Sequence, residues 1–86
     1  MATSEVERRV ISAIQAVFAN KRMSAPSINS TTVLDRTLGL ESIDFAELVV
    51  RLETEFGADP FSEPSVGPVR TVADLAALYE KYSRPN

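Results

Sequence analysis

The 86-residue sequence contains no cysteine and no histidine. Without cysteine there is no disulfide framework, no thiolate nucleophile and no Cys-based metal site. Without histidine, the commonest general base and the commonest transition-metal ligand are both missing. Long hydrophobic runs are absent too, so no segment is expected to span a membrane. The start, Met1-Ala2-Thr3-Ser4-Glu5, lacks the basic-then-apolar order of a secretion signal, and a soluble cytoplasmic protein is expected. No block of Lys or Arg stands out and the net charge is -3, which argues against a nucleic-acid partner. The three glycines are too far apart for a phosphate-cradling loop. The acids lack the spacing of a calcium loop, so no metal is expected. Glu53 and Glu55 cannot share a helix face, which removes the paired-carboxylate reading.

With 44% hydrophobic residues the chain has enough apolar material for one small globular domain covering residues 1–86. Three segments carry a helical period. In the first, about 4–20, Ser4 and Glu7 have capping-box spacing, and Val6, Val10, Ile14, Val17 and Phe18 make one apolar stripe. Lys21 and Arg22 follow its C-terminus, where positive charge suits the helix dipole. In the second, about 42–56, Phe45, Leu48, Val49, Leu52 and Phe56 form the inward face, and Gly57 is placed to end the helix in a left-handed conformation. The third, about 72–82, begins with Thr71 as N-cap and Asp74 three residues on. It buries Val72, Leu75, Ala76, either Leu78 or Tyr79, and Tyr82.

The connection from Lys21 to Glu41 is long for so small a domain, and loops of that length are often functional. Leu34, Leu38 and Leu40 are expected to pin it across the helices. Between Ala58 and Arg70, Pro60, Pro64, Pro68 and Gly67 forbid a long helix but leave room for a short one within 61–66. No segment alternates as a strand. The fold class is therefore all-α, a small bundle of three to four helices with a long first loop.

Charge is concentrated in the second helix. From Glu41 to Phe56 stand five acids (Glu41, Asp44, Glu47, Glu53, Glu55) and one base, Arg51, a local net of -4. Ile43, Ala46 and Val50 form a second, shallower apolar line beside Asp44 and Glu47. Apolar residues flanked by acids suit a docking surface for a basic partner, as against a merely solvated face. Ser42, read locally, is an ordinary N-cap.

The run Leu38-Gly39-Leu40-Glu41-Ser42-Ile43-Asp44-Phe45-Ala46-Glu47-Leu48-Val49 resembles the signature of acyl carrier proteins, in which a leucine-glycine pair and Asp-Ser-Leu lead into an acidic helix. The resemblance continues through Arg51-Leu52-Glu53-Thr54-Glu55-Phe56-Gly57, and more weakly through Thr71-Val72-Ala73-Asp74-Leu75. It covers nearly the whole domain and implies an acyl-carrier-like helical bundle that is not an enzyme. By the same resemblance, Ser42 carries a covalent 4'-phosphopantetheine arm transferred from coenzyme A by a phosphopantetheinyl transferase. The arm's thiol would hold a cargo as a thioester, which gives thiol chemistry to a chain without cysteine. An attached phosphodiester would suit the helix N-terminus, where N–H groups are free and the dipole is positive. Glu41 replaces the usual Asp and Ile43 the usual Leu, swaps that bear on which transferase accepts the protein.

The resemblance further implies that the second helix docks acyl-transfer, ligase or synthase enzymes bearing basic patches, through Glu41, Ile43, Asp44, Ala46, Glu47, Val50 and Arg51. Arg51 puts positive charge into this face and points to a specialised partner set. The expected function is carriage of an acyl group in fatty acid or polyketide biosynthesis by a monomer. The Ala58-Asp59-Pro60-Phe61 stretch looks like that of stand-alone carriers in specialised pathways, so an aminoacyl or peptidyl carrier is the alternative. A third reading is an unmodified helical adaptor that binds basic proteins. Phe18, Phe45 and Phe56 read as core residues that could also line a shelter for an acyl chain.

Overall fold

The computed structural model describes residues 4–62 and 67–82. Helix α1 spans Glu5–Asn20, α2 Ser42–Phe56 and α3 Val72–Tyr82, with a 3-10 turn at Pro60–Ser62 between α2 and α3. That turn, which begins at the buried Pro60, overlaps the start of the short helix expected within 61–66. Residues 63–66 lie outside the described residues, and three α-helices, not four, are found among those described.

Local chemistry sets each helix boundary. Ser4 Oγ accepts the Glu7 N–H (3.0 Å) and Glu7 Oε1 accepts the Ser4 N–H (3.1 Å), a reciprocal capping box. The same arrangement opens α3, where Thr71 Oγ1 accepts the Asp74 N–H and Asp74 Oδ2 accepts the Thr71 N–H, both at 3.1 Å. Helix α2 ends at Gly57, left-handed at φ +65°, whose N–H reaches the Glu53 carbonyl at 2.8 Å. A side chain there would be strained, which is why glycine stops the helix. Helix α1 closes without glycine: Arg22 takes the left-handed conformation at φ +61°.

The core is a single cluster. Val10, Ile14, Val17 and Phe18 of α1 meet Leu48 and Leu52 of α2 and Val72, Leu75, Ala76 and Tyr79 of α3. The apolar stripes therefore converge, each burying the face that its 3.6-residue period presents. Tyr79 supplies the buried position of α3 and Leu78 is only half-buried. The Tyr79 ring packs on Phe56 (centroids 5.5 Å apart) and edge-on to Phe61 (6.4 Å).

The long first loop is held as expected at Leu34 and Leu40, both buried, with Leu38 packed against the cluster. Backbone bonds add to this. An isolated antiparallel bridge joins Val33 to Thr71, with Leu34 N–H donating to Arg70 O (2.7 Å) and Val72 N–H to Thr32 O (3.1 Å). The loop is thereby fastened to the start of α3 before it turns back toward α2.

Candidate functional site

Ser42 is the first residue of α2, and Glu41, extended at φ -102° and ψ 174°, is the N-cap. The local expectation that Ser42 caps the helix is corrected by one residue. The Glu41 N–H is taken by the Asp44 side chain, so the carboxylate three residues on secures the helix start and the serine is left over. Ser42 is exposed, and among the described residues its hydroxyl has no hydrogen-bond partner. The first intrahelical bond runs from Phe45 N–H to Glu41 O (3.1 Å). The amides of Ser42, Ile43 and Asp44 therefore precede the backbone ladder, and the positive end of the helix dipole lies at the serine.

The lead-in is held by a residue that pattern reading passed over. Lys21, the C-cap of α1, places its Nζ 2.9 Å from Gly39 O and 2.7 Å from Asp44 Oδ2. Asp44 Oδ2 also accepts the Glu41 N–H at 2.8 Å. Asp44 is only 4% exposed, and the Lys21 hydrogen bond, then the Glu41 N–H, hold its carboxyl below its ordinary value of 3.8. Lys21 was legible only as a charge suited to a helix C-terminus. Its partners stand 18 and 23 residues away, beyond the reach of any local period.

The residues expected on the docking face divide. Ile43 is 77% and Val50 60% exposed, and with exposed Ala46 they lie three and four residues apart on one side of α2. Glu41 and Arg51 are exposed as well. Asp44 is not on this face: it turns inward to Lys21, because it serves the helix start. Glu47 is half-buried between Arg51 Nε (3.0 Å from Oε2) and Asn20 Nδ2 (3.3 and 3.4 Å). Glu55 lies 3.8 Å from Arg9. The neighbouring Asp59 carboxyl, together with burial, raises the Glu53 carboxyl above its ordinary 4.5. The acidity counted along the sequence is thus largely engaged within the fold, and the exposed strip is mainly apolar.

On the other side of α2 lies a cleft of about 470 Å³ between α2 and α3, lined by Phe45, Leu48, Val49, Leu75, Leu34 and Phe61 among others. Phe45 alone of the three phenylalanines singled out in the sequence borders it. Phe18 sits in the core under Gly39, and Phe56 packs on Tyr79. Among the described residues no group of three or more Asp or Glu could hold a metal ion, and no helix is long and apolar enough to cross a membrane.

The family model for the phosphopantetheine attachment site matches residues 9–79, most of the 86-residue chain. The chain belongs to this family of phosphopantetheine-carrying domains, the one that includes acyl carrier proteins. Searches of curated proteins and of solved structures returned no match. Domains of this family are carriers and not enzymes, and their cofactor is 4'-phosphopantetheine bound covalently to a serine. Membership also implies a transferase and acyl-handling enzymes as partners. The observed site fits the group: an exposed hydroxyl without a partner among the described residues stands at a helix N-terminus suited to a phosphodiester.

Proposed function

We propose that this chain is an acyl carrier whose arm is attached at Ser42. The observation that supports this most directly is the displacement of the cap from Ser42 to Glu41 and Asp44. A capping serine would have its oxygen turned to its own backbone, whereas Ser42 is exposed at the start of α2. When bound, the arm supplies a terminal thiol that carries the cargo as a thioester. The chain supplies the attachment oxygen, the helix end that accommodates the phosphodiester, and the surface that partners grip. With no histidine in the sequence, Ser42 has no such base of its own and depends on the transferase for activation.

Docking is assigned to Ile43, Ala46 and Val50, edged by Glu41, Glu47 and Arg51, with Asp44 acting only through the helix start. A fatty or polyketide acyl cargo is favoured over an aminoacyl one by the apolar cleft beside α2, whose lining of Phe45, Leu48, Val49 and Leu75 suits a hydrocarbon chain. The experiment is intact mass measurement after incubation with coenzyme A and a broad-specificity transferase. One phosphopantetheine addition is expected, absent from Ser42→Ala. No addition, or an addition that persists in Ser42→Ala, would refute the assignment and, in the first case, favour the unmodified adaptor. Mass analysis of the chain isolated from its host reads the cargo itself, and an aminoacyl adduct would overturn the acyl reading.

A further inference from the structure

Lys21 closes α1, but its side chain acts at the start of α2. The direction of that side chain is fixed at its root. Lys21 keeps a right-handed conformation (φ -85°, ψ 0°), Arg22 turns left-handed, and the N–H groups of Arg22 and Met23 return to the Ala19 and Phe18 carbonyls at 2.9 and 3.0 Å. Paired bonds of this kind set the path by which a chain leaves a helix. Phe18, three residues before Lys21, carries the ammonium 5.7 Å from its ring centroid, and the same ring lies against Gly39.

The ammonium then gathers the lead-in. Gly39 O, Asp44 Oδ2 and, through that oxygen, the Glu41 N–H are joined in one charge-assisted network. The Lys21 and Asp44 side chains are 21% and 6% exposed, so water competes with the pair far less than at an open surface. The network fixes backbone groups three residues and one residue before Ser42 and a side chain two residues after it. It leaves the serine hydroxyl alone.

We propose that Lys21 is the positioning residue of the arm-attachment site, its ammonium tying Gly39 and Asp44 together so that Ser42 Oγ meets the transferase in one orientation. The proposal rests on Ser42 being the attachment serine. In the transfer, Ser42 Oγ forms a P–O bond to the pantetheine-side phosphorus of coenzyme A and the pyrophosphate P–O bond breaks. Adenosine 3',5'-bisphosphate leaves, and the hydroxyl proton passes to a base of the transferase. Such an in-line displacement is sensitive to the placement of the attacking oxygen, and the Lys21 network governs that placement without touching the reacting atoms.

The test uses the full chain with coenzyme A and a broad-specificity transferase, the adduct being followed by intact mass well below the melting temperature of every variant. Lys21→Met keeps an unbranched stem over Phe18 and removes the donors. Its kcat should fall by about tenfold to a hundredfold, the range for an ångström-scale misplacement. KM should stay near that of the unchanged chain, because Ile43, Ala46 and Val50 are untouched, and Lys21→Arg should recover most of the rate. A purely structural lysine would lower Tm and leave kcat of the folded protein unchanged, and that result overturns the proposal. If the unchanged chain gains no mass, the attachment reading fails and the positioning role with it; if it is modified and Lys21→Met reacts at the same kcat, the positioning role fails alone. Should Lys21→Met not fold, amide exchange on the unchanged chain decides. The Glu41 amide, on an exposed residue, should exchange at least about tenfold more slowly than a free loop amide, and exchange at the free rate overturns the proposal.

Discussion

Gly39 lies against the ring of Phe18 with φ +114°, and a Cβ on it would stand 3.2 Å from Phe18 Cε1 and 3.4 Å from Cζ. Two independent constraints meet at this residue. The backbone conformation is one that side chains rarely adopt, and the ring that would have to yield is itself 1% exposed and packed in the core. Gly39 also presents its carbonyl to Lys21 at 2.9 Å, so the lead-in to α2 turns where glycine permits it to turn.

Gly39→Ala should therefore destabilise the fold by about 1–3 kcal/mol, the range for a residue held in a sparsely populated backbone region. Urea unfolding of the two proteins checks this. An unchanged midpoint would show that the lead-in is not held in the conformation described. The transfer rate to Ser42 should fall as well, since the Lys21 contact begins at this carbonyl.

Acid should loosen the same lead-in by another route. Asp44 has a folded-state pKa below its ordinary 3.8, chiefly through Lys21 and then the Glu41 N–H. A depressed carboxyl contributes stability that is present above the unfolded value and lost as pH falls through the folded one. Stability should accordingly drop below about pH 3.8, and Asp74, also depressed by the Arg70 and Thr71 N–H groups, should add to the slope. Asp44→Asn should lower Tm at pH 7 and flatten the acid limb; a limb as steep as before would remove Asp44 from the linkage.

Much of the fold was legible because it rests on local signals. The bounds of α2 and α3 follow from apolar period and from Gly57 and Thr71, and the capping box at Ser4 marks α1 directly. The site was legible only in part. Ser42 could be singled out, but whether serine or its neighbour caps α2 depends on where Asp44 points, and that is decided by Lys21, remote in sequence. For the same reason Asp44 was placed on the docking face: a carboxylate on a charged helix looks solvated until a partner from another element is known. Glu53 and Asp59 likewise meet only because the chain turns back at Gly57.

Among the described residues, the one buried side-chain nitrogen or oxygen without a partner is the Tyr79 hydroxyl. Its burial, with Glu53 and Asp59 nearby, pushes its pKa up to about 12. A buried hydroxyl lacking a hydrogen bond is a net cost, so Tyr79→Phe should raise stability by up to about 1 kcal/mol while keeping the ring on Phe56 and Phe61. Glu53→Gln tests the neighbouring pair. A carboxyl whose folded pKa is raised favours the fold at low pH and loses that contribution as pH climbs through the folded value. The variant should raise Tm at pH 7, with the gain vanishing toward pH 4. A fall in Tm at pH 7 would contradict the described contact between Glu53 and Asp59.

Docking should depend more on apolar contact than on charge. Asp44 is bound to Lys21, Glu47 to Arg51 and Asn20, and Glu55 lies by Arg9, so few free carboxylates remain to steer a basic partner. Ile43 and Val50, by contrast, leave 77% and 60% of their surface open. Replacing both with serine should change stability by no more than about 0.5 kcal/mol, as is usual for exposed positions. The same change should reduce transfer to Ser42 by about tenfold, equivalent to losing roughly 1.4 kcal/mol of contact, and should appear mainly in KM. Glu47→Lys with Arg51→Glu, which reverses the pair and keeps it, should alter KM far less. Raising salt from low to physiological ionic strength should likewise change the rate only modestly. If the reversed pair and added salt abolish transfer while the serine pair leaves it intact, docking is electrostatic and the apolar strip is incidental.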